Sequence, residues 1–222
     1  VGIGESDFHE KLDEDLAKID GLEVGYCARL GEVDLRLIGS DDVIEQGRKL
    51  TEACFKEFMI SDDGAALETV VVRSLAAAGK ILTTVESCTG GLVANRITNV
   101  PGSSSVFTHG FVTYSNGAKA QLIGVSEETL AAHGAVSEEV AGEMASGARK
   151  VSGADIAVSI TGIAGPDGGT EEKPVGTVCF GIATAGGVAT YREIHPRSRL
   201  DFKQQASQRA LDLVRRVLGG DQ

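Results

Sequence analysis

Apolar side chains at Phe8, Leu12, Leu16 and Ile19 recur every three to four residues, the period at which one face of an α-helix repeats. Ser6 precedes them as a helix cap, with Asp7 and Glu10 in the first turn, where the helix dipole favours carboxylates. The pattern then changes. In "LEVGYCARLGEVDLRLIG" the alternation of Val33, Leu35 and Leu37 predicts two strands turning at Gly31-Glu32. A second helix is expected from Asp41 to about Phe58, which completes a small α/β module over residues 1–60. Ser, two Asp and Gly in "MISDDGA", residues 59–65, break the periodicity and read as a linker.

From Ala65 onward the pattern alternates between helices and strands. Leu67, Val70, Val71 and Leu75 form a helical stripe that ends at Gly79, and "KILTTV" follows as a buried strand. Beyond the turn "ESCTGG", the segment "GLVANRIT" reads as a helix, "PGSSS" as a turn and new cap, and "THGFVTYS" as a strand. Helices are expected at about 117–123, 127–132 and 138–151, the last capped by Ser137 with Glu138 and Glu139 in its first turn. Strand "DIAVSI" leads into the long loop "TGIAGPDGGTEEKPVG". A hairpin follows with Val178, Phe180 and Ile182 alternating, and a helix from Leu200 to Leu218 closes the chain on Phe202, Ala206, Leu213, Val214 and Val217. Helix, strand, turn and helix in this order open an α/β sheet domain.

Composition narrows the class. In 222 residues, 42% are hydrophobic and 24% charged, the balance of a water-soluble globular protein. No apolar run approaches the eighteen or so residues that a bilayer-spanning helix needs, and no secretory segment opens the chain, so a cytoplasmic protein without a membrane partner is expected. The first residue is Val1, which suggests a piece trimmed from a longer chain. Cys27, Cys54, Cys88 and Cys179 form no C-x-x-C pair and His9, His109, His133 and His195 lie far apart, so neither a zinc site nor a disulfide framework is expected. Residues 1–60 hold 15 acidic and 7 basic side chains, giving 7 − 15 = −8 of the total −11. That charge repels phosphate backbones, so nucleic acid is not an expected partner.

The chemistry-bearing residues gather where strands end. Ser87 and Cys88 stand between a strand and a helix, a position that exposes a small nucleophile at the carboxyl edge of the sheet beside unpaired helix N–H groups. The helix terminus would lower a thiol pKa and so favours Cys88, yet no His or basic residue is near it in sequence and a buried inert cysteine is the commoner fate; a helix cap is the plain structural role for Ser87. In "FVTYSNGAKAQ", Tyr114 and Lys119 flank a Ser-Asn-Gly turn. A buried lysine can serve as base to a serine and a tyrosine can relay the proton; equally, a surface lysine and a core tyrosine satisfy the pattern. The glycines of "SITGIAGPDGG", at 162, 165, 168 and 169, offer bare backbone that could cradle an anion, or a merely flexible loop. The loop has neither the Gly-Lys-Ser/Thr of a Walker A motif nor the G-x-G-x-x-G spacing of a dinucleotide fold.

"ESCTGG", "GSSSVFTHGFVTYSNGAKAQLIGV", "HGAVSEEVAGEMA" and "SITGIAGPDGGTEEKPVGTV" together resemble the C-terminal domain of the CinA family, the nicotinamide-mononucleotide deamidases, and the resemblance runs nearly end to end over residues 65–222. It implies a three-layer α/β/α domain with a mostly parallel mixed sheet. The activity implied is hydrolysis of the carboxamide of nicotinamide mononucleotide (NMN) to nicotinate mononucleotide and ammonia, in pyridine-nucleotide recycling, with no metal or other cofactor. Position by position, the family's serine nucleophile falls on Ser87 and its lysine base on Lys119. Its tyrosine and threonine fall on Tyr114 and Thr161, and its functional arginine on Arg199, with Arg197 two residues away. Thr89, Gly90 and Gly91 are the backbone groups expected beside the reacting carbonyl, and Asn116, Gly162 and Gly165 are further substrate-binding candidates. The loop at 162–169, Ser103 to Ser105 and Arg199 are candidates for the substrate phosphate.

Residues 1–60 resemble the small KH-type module that precedes the amidase domain in full-length CinA proteins, beginning with "GIGES". RNA-binding KH modules clamp the backbone with a GXXG loop; no glycine of Gly2, Gly4, Gly21, Gly25, Gly31 or Gly39 has another three residues on. A packing or oligomerisation module is the expectation, and with it a homo-oligomer. The competing expectations are an amidase for another amide-bearing nucleotide, and an inactive nucleotide-binding or scaffold protein of the competence or damage-inducible type.

Overall fold

Leu12 and Leu16 are each 1% exposed on the first helix of a computed structural model that describes residues 1–2 and 5–220, with the side chains of Glu5, Asp7, Phe8 and His9 outside that description. Ile3 and Gly4 of "GIGES" thus lie outside the described residues, as does the side chain of Phe8 in the apolar stripe. Helix α1 (Glu5–Leu16) already contains Ser6, so Ser6 is a helical residue and not the cap. Strands β1 (Glu23–Arg29) and β2 (Glu32–Ile38) pair antiparallel from Glu23↔Ile38 to Arg29↔Glu32. The turn therefore falls on Leu30-Gly31, one residue earlier than expected, with Gly31 taking the left-handed φ of 82° that such a short hairpin requires. Helix α2 (Asp41–Phe55) ends in a single 3₁₀ turn at Lys56–Phe58. Leu12, Leu16 and Phe55 form the core of this unit, flanked by Leu22, Val24, Val33 and Leu35.

The chain divides into two compact units, Val1–Ala66 and Leu67–Gln222. The second contains α3 (Leu67–Ala78), β3 (Leu82–Glu86), α4 (Leu92–Thr98), β4 (Phe107–Val112), α5 (Asn116–Ile123), α6 (Glu127–His133), α7 (Glu138–Ser152), β5 (Ile156–Gly162), β6 (Thr177–Thr184), β7 (Gly187–Ile194) and α8 (Arg199–Gly219). Its sheet has the order β4-β3-β5-β6-β7. β3 is parallel to both β4 and β5, whereas β5–β6 and β6–β7 are antiparallel. The sheet is mixed and mostly parallel, as expected: β3, β4, β5 and β7 run the same way and β6 runs against them. The carboxyl ends of β3, β4, β5 and β7 consequently share one edge, and α5 and α8 both begin there.

Helices α3, α4 and α8 cover one face of this sheet and α5, α6 and α7 the other. β6 is buried from Thr177 to Ala183, so the alternation seen in Val178, Phe180 and Ile182 does not divide a wet face from a dry one. Phe180 lies against His195, which contacts Phe202 of α8, while Ala183 packs with Met144 and Ala148 of α7. Phe202, Ala206, Leu213 and Val214 are buried as expected; Val217 is only half-buried, with the rest of the last turn. Burying a side chain the size of Phe202 contributes about 2–3 kcal/mol. Arg96 of α4 ties the outer helices together, donating to Glu68 Oε2 of α3 at 2.7 Å and to Ser207 Oγ and Gln208 Oε1 of α8 at 2.9 and 2.6 Å.

Candidate active site

Strand β3 ends in Glu86, a carboxylate with no exposed surface. A buried carboxylate demands donors, and the chain supplies them five to eight residues on. Gly91 N and Val93 N donate to Glu86 Oε2 at 3.0 and 3.1 Å, and Ala94 N donates to Oε1 at 2.9 Å. Glu86 thus satisfies the orphan N–H groups at the start of α4 and places a negative charge at the positive end of its dipole. This arrangement pins the turn 87–91. Replacing the carboxylate by Glu86→Gln puts an amide NH₂ among donors; we expect a loss of roughly 2–3 kcal/mol and a melting temperature lower by roughly 5–10 °C. A thermal melt within 2 °C of the parent would show that the carboxylate does not hold the turn.

On that turn, Ser87 N donates to Ile160 O of β5 at 2.9 Å, which fixes the serine at the carboxyl edge of the sheet. Lys119, on the second turn of α5, is 1% exposed. Its Nζ stands 3.2 Å from Ser87 Oγ and donates to Thr113 O at 2.9 Å. Among the described residues no carboxylate pairs with it. Burial therefore lowers the Lys119 pKa from its ordinary value of 10.5, because the charged form loses its water and gains no counter-ion. The Ser-Asn-Gly stretch before it is the start of α5, with Ser115 Oγ accepting from Ala118 N at 3.1 Å.

Cys88 takes the expected fate of a buried, inert cysteine, not that of an activated thiol. It is 6% exposed, and burial pushes its pKa up to about 12 against the weaker pull of the N–H groups of Cys88 and Thr89. The α4 terminus gives it no help because Glu86 already occupies those amides. Gly162 exists for this packing: a methyl group there would meet Thr177 O at 2.8 Å, the Phe202 ring at 3.0 Å and Cys88 Sγ at 3.2 Å.

The other residues singled out in the sequence divide between the rim and the frame. Arg199 opens α8, donating Nη1 to Gly165 O at 2.8 Å and Nη2 to Tyr114 Oη at 3.1 Å. Tyr114 is 61% exposed, and among the described residues Arg197 makes no such bridge. Thr161 Oγ1 donates to Ala135 O at 2.8 Å, which fastens the segment before α7 to the end of β5. Asn116 is exposed at the first position of α5. Around Ser87, the Gly91 amide belongs to Glu86 and the Gly90 amide to Ser87 O at 3.1 Å. Among the described residues the N–H groups of Cys88 and Thr89 have no oxygen acceptor, and the fully buried Thr89 Oγ1 has no partner. Ser103 to Ser105 precede β4 and so lie at the opposite edge of the sheet from Ser87, which removes them as candidates for its ligands.

Sequence reasoning missed Glu86 and Thr113. The signal for Glu86 was present, a carboxylate closing the apolar run "KILTTVE"; Thr113 acts through its carbonyl, which no side-chain pattern reveals. Among the described residues, no group of three or more His, Cys, Asp or Glu is arranged to hold a metal ion, and no helix is long and apolar enough to cross a membrane.

Comparison with known proteins agrees with this fold. A CinA-like protein of Akkermansia muciniphila is 51% identical over 212 residues, which is 95% of this chain and 51% of that protein. A CinA-like protein of Mycobacterium avium is 43% identical over 228 residues, 98% of this chain and 52% of that one. The chain thus spans about half the length of these curated relatives. The crystal structure of a competence-damaged protein (CinA) superfamily member from Klebsiella pneumoniae superposes with a TM-score of 0.67 at 39% identity, covering 69% of this chain and 96% of that one. The competence/damage inducible protein CihA from Agrobacterium tumefaciens gives 0.66 at 40%, covering 69% and 93%. Residues 64–218 match the CinA C-terminal domain, and the chain belongs to the CinA family.

Proposed function

We propose that residues 65–222 form an amidohydrolase domain that hydrolyses the carboxamide of NMN through a Ser87–Lys119 dyad. The observation that carries this reading is the 3.2 Å approach of a buried, counter-ion-free lysine to a serine at the carboxyl edge of the sheet. Neutral Lys119 Nζ takes the Ser87 Oγ proton, and Oγ bonds to the amide carbon as the carbonyl electron pair moves to oxygen. Lys119 then passes its proton to the amide nitrogen, the C–N bond breaks, and ammonia leaves an ester on Ser87. Water, deprotonated by Lys119, attacks that ester; the acid departs and the proton returns to Ser87 Oγ. The unclaimed N–H groups of Cys88 and Thr89 are the donors for the oxyanion. They replace Gly90 and Gly91 in that role, since those amides are already bonded. Arg199, held by Gly165 O and Tyr114 Oη, shapes the rim, and the buried Thr161 braces the frame.

The test is direct. The chain incubated with NMN should release ammonia and nicotinate mononucleotide in equal amounts. Tight binding of NMN without release would instead support a nucleotide-binding scaffold, and neither binding nor release would remove NMN altogether.

A further inference from the structure

Arg199 and Lys203 are four residues apart on α8, so their side chains share one face of its first two turns. Arg199 reaches Gly165 O and Tyr114 Oη. Lys203 reaches the other way: a methyl group on Gly90 would meet its Nζ at 3.7 Å, which places the ammonium against the turn that carries Ser87. In a chain of net charge −11, cations readily find carboxylates, as Lys18, Arg48 and Lys80 find Asp15, Glu45 and Asp155. Among the described residues no carboxylate forms an ion pair with Arg199 or Lys203. Asp201 in the same turn is turned to the helix start, its Oδ2 accepting from Ser198 Oγ at 2.8 Å.

Two cations held at a catalytic edge without anionic partners await an anion. We infer that Lys203, with Arg199, recognises a phosphate monoester on the substrate and so selects a nucleotide over the corresponding nucleoside; this rests on the amide-hydrolysis reading above. The geometry divides the labour. Two of the guanidinium's five N–H groups are spent on Gly165 and Tyr114, which fixes its plane and leaves the others for phosphate oxygens. The ammonium of Lys203 adds a compact charge with three donors. Neither group competes with Lys119, which alone of the three contacts Ser87 Oγ.

The experiment compares kcat/KM for ammonia release from NMN and from nicotinamide riboside, which lacks the phosphate. The parent should prefer the nucleotide. Lys203→Ala should cut that preference by roughly 10-fold or more, chiefly through KM, and Lys203→Arg should restore most of it. An unchanged preference in Lys203→Ala would overturn the subsite while leaving the reaction standing. Titration with ribose 5-phosphate, which needs no turnover, separates the two claims. Should the parent hydrolyse neither substrate, the reaction falls. Weaker ribose 5-phosphate binding by Lys203→Ala than by the parent then upholds the subsite, and equal binding overturns it.

Discussion

Ser87→Ala is expected to reduce ammonia release from NMN by at least ~10³-fold while leaving NMN binding within a few-fold of the parent. The substitution removes one oxygen from a position that is 8% exposed and leaves the Ser87 N bond to Ile160 O in place, so the turn and its neighbours have no reason to move. Its informative partner is Cys88→Ala. A thiol with a pKa of about 12 is ionised to roughly one part in 10⁵ at pH 7, so its loss should cost about 1 kcal/mol of packing and leave most of the turnover. Hydroxylamine added to the parent should compete with water for the Ser87 ester and yield a hydroxamate, which Ser87→Ala cannot form. Should Cys88→Ala be the dead variant and Ser87→Ala the active one, the nucleophile has been assigned to the wrong side chain.

The contrast between these neighbours also shows which parts of the site a sequence can disclose. The β3–turn–α4 order was legible, because an apolar run, a small-residue turn and a helical stripe each leave a local mark, and it placed Ser87 and Cys88 at a strand end. The place of Lys119 on the helix that follows β4 was legible for the same reason, but not whether its side chain is buried or at the surface. What separated the two nucleophiles was not local. The Cys88 pKa is raised by burial, at a place where Gly162, 74 residues on, lies so close to its Sγ and to the Phe202 ring that no side chain would fit there. The dipole that would have activated the thiol is spent on Glu86, a bond that follows from the depth of the carboxylate and not from its spacing.

Sheet direction was hidden in a similar way. The hairpin of β6 and β7 was readable from its turn, yet its place beside β5 made β6 a central strand buried on both faces. Alternating apolar residues on such a strand cannot tell which side faces solvent. The same topology sets the composition of the candidate site: because β7 runs parallel to β5, α8 starts on the edge that carries Ser87 and delivers Arg199 and Lys203 there. Ser103 to Ser105, equally polar and glycine-flanked, end up at the other edge because they precede their strand instead of following it.

Lys119→Met should abolish turnover, with a loss of at least ~10³-fold, and Lys119→Arg should do the same, because a guanidinium keeps the charge but cannot accept the serine proton. If charge alone sufficed, the arginine variant would retain activity. The parent's rate should climb with pH as Lys119 deprotonates, with a midpoint below 10.5, since burial lowers its pKa from that value. Stability gives an independent reading of the same shift. Between the lowered folded pKa and 10.5 the unfolded chain binds more protons at Lys119 than the folded one, so the parent gains stability as pH rises through that window. Below the folded pKa the whole penalty of the buried amine is present. Methionine has no such penalty, so the melting temperature of Lys119→Met relative to the parent should be highest near neutral pH and fall as pH approaches 10.5. A difference that stays constant across that range would mean that the lysine keeps an ordinary pKa in the fold, and the dyad would lose its base.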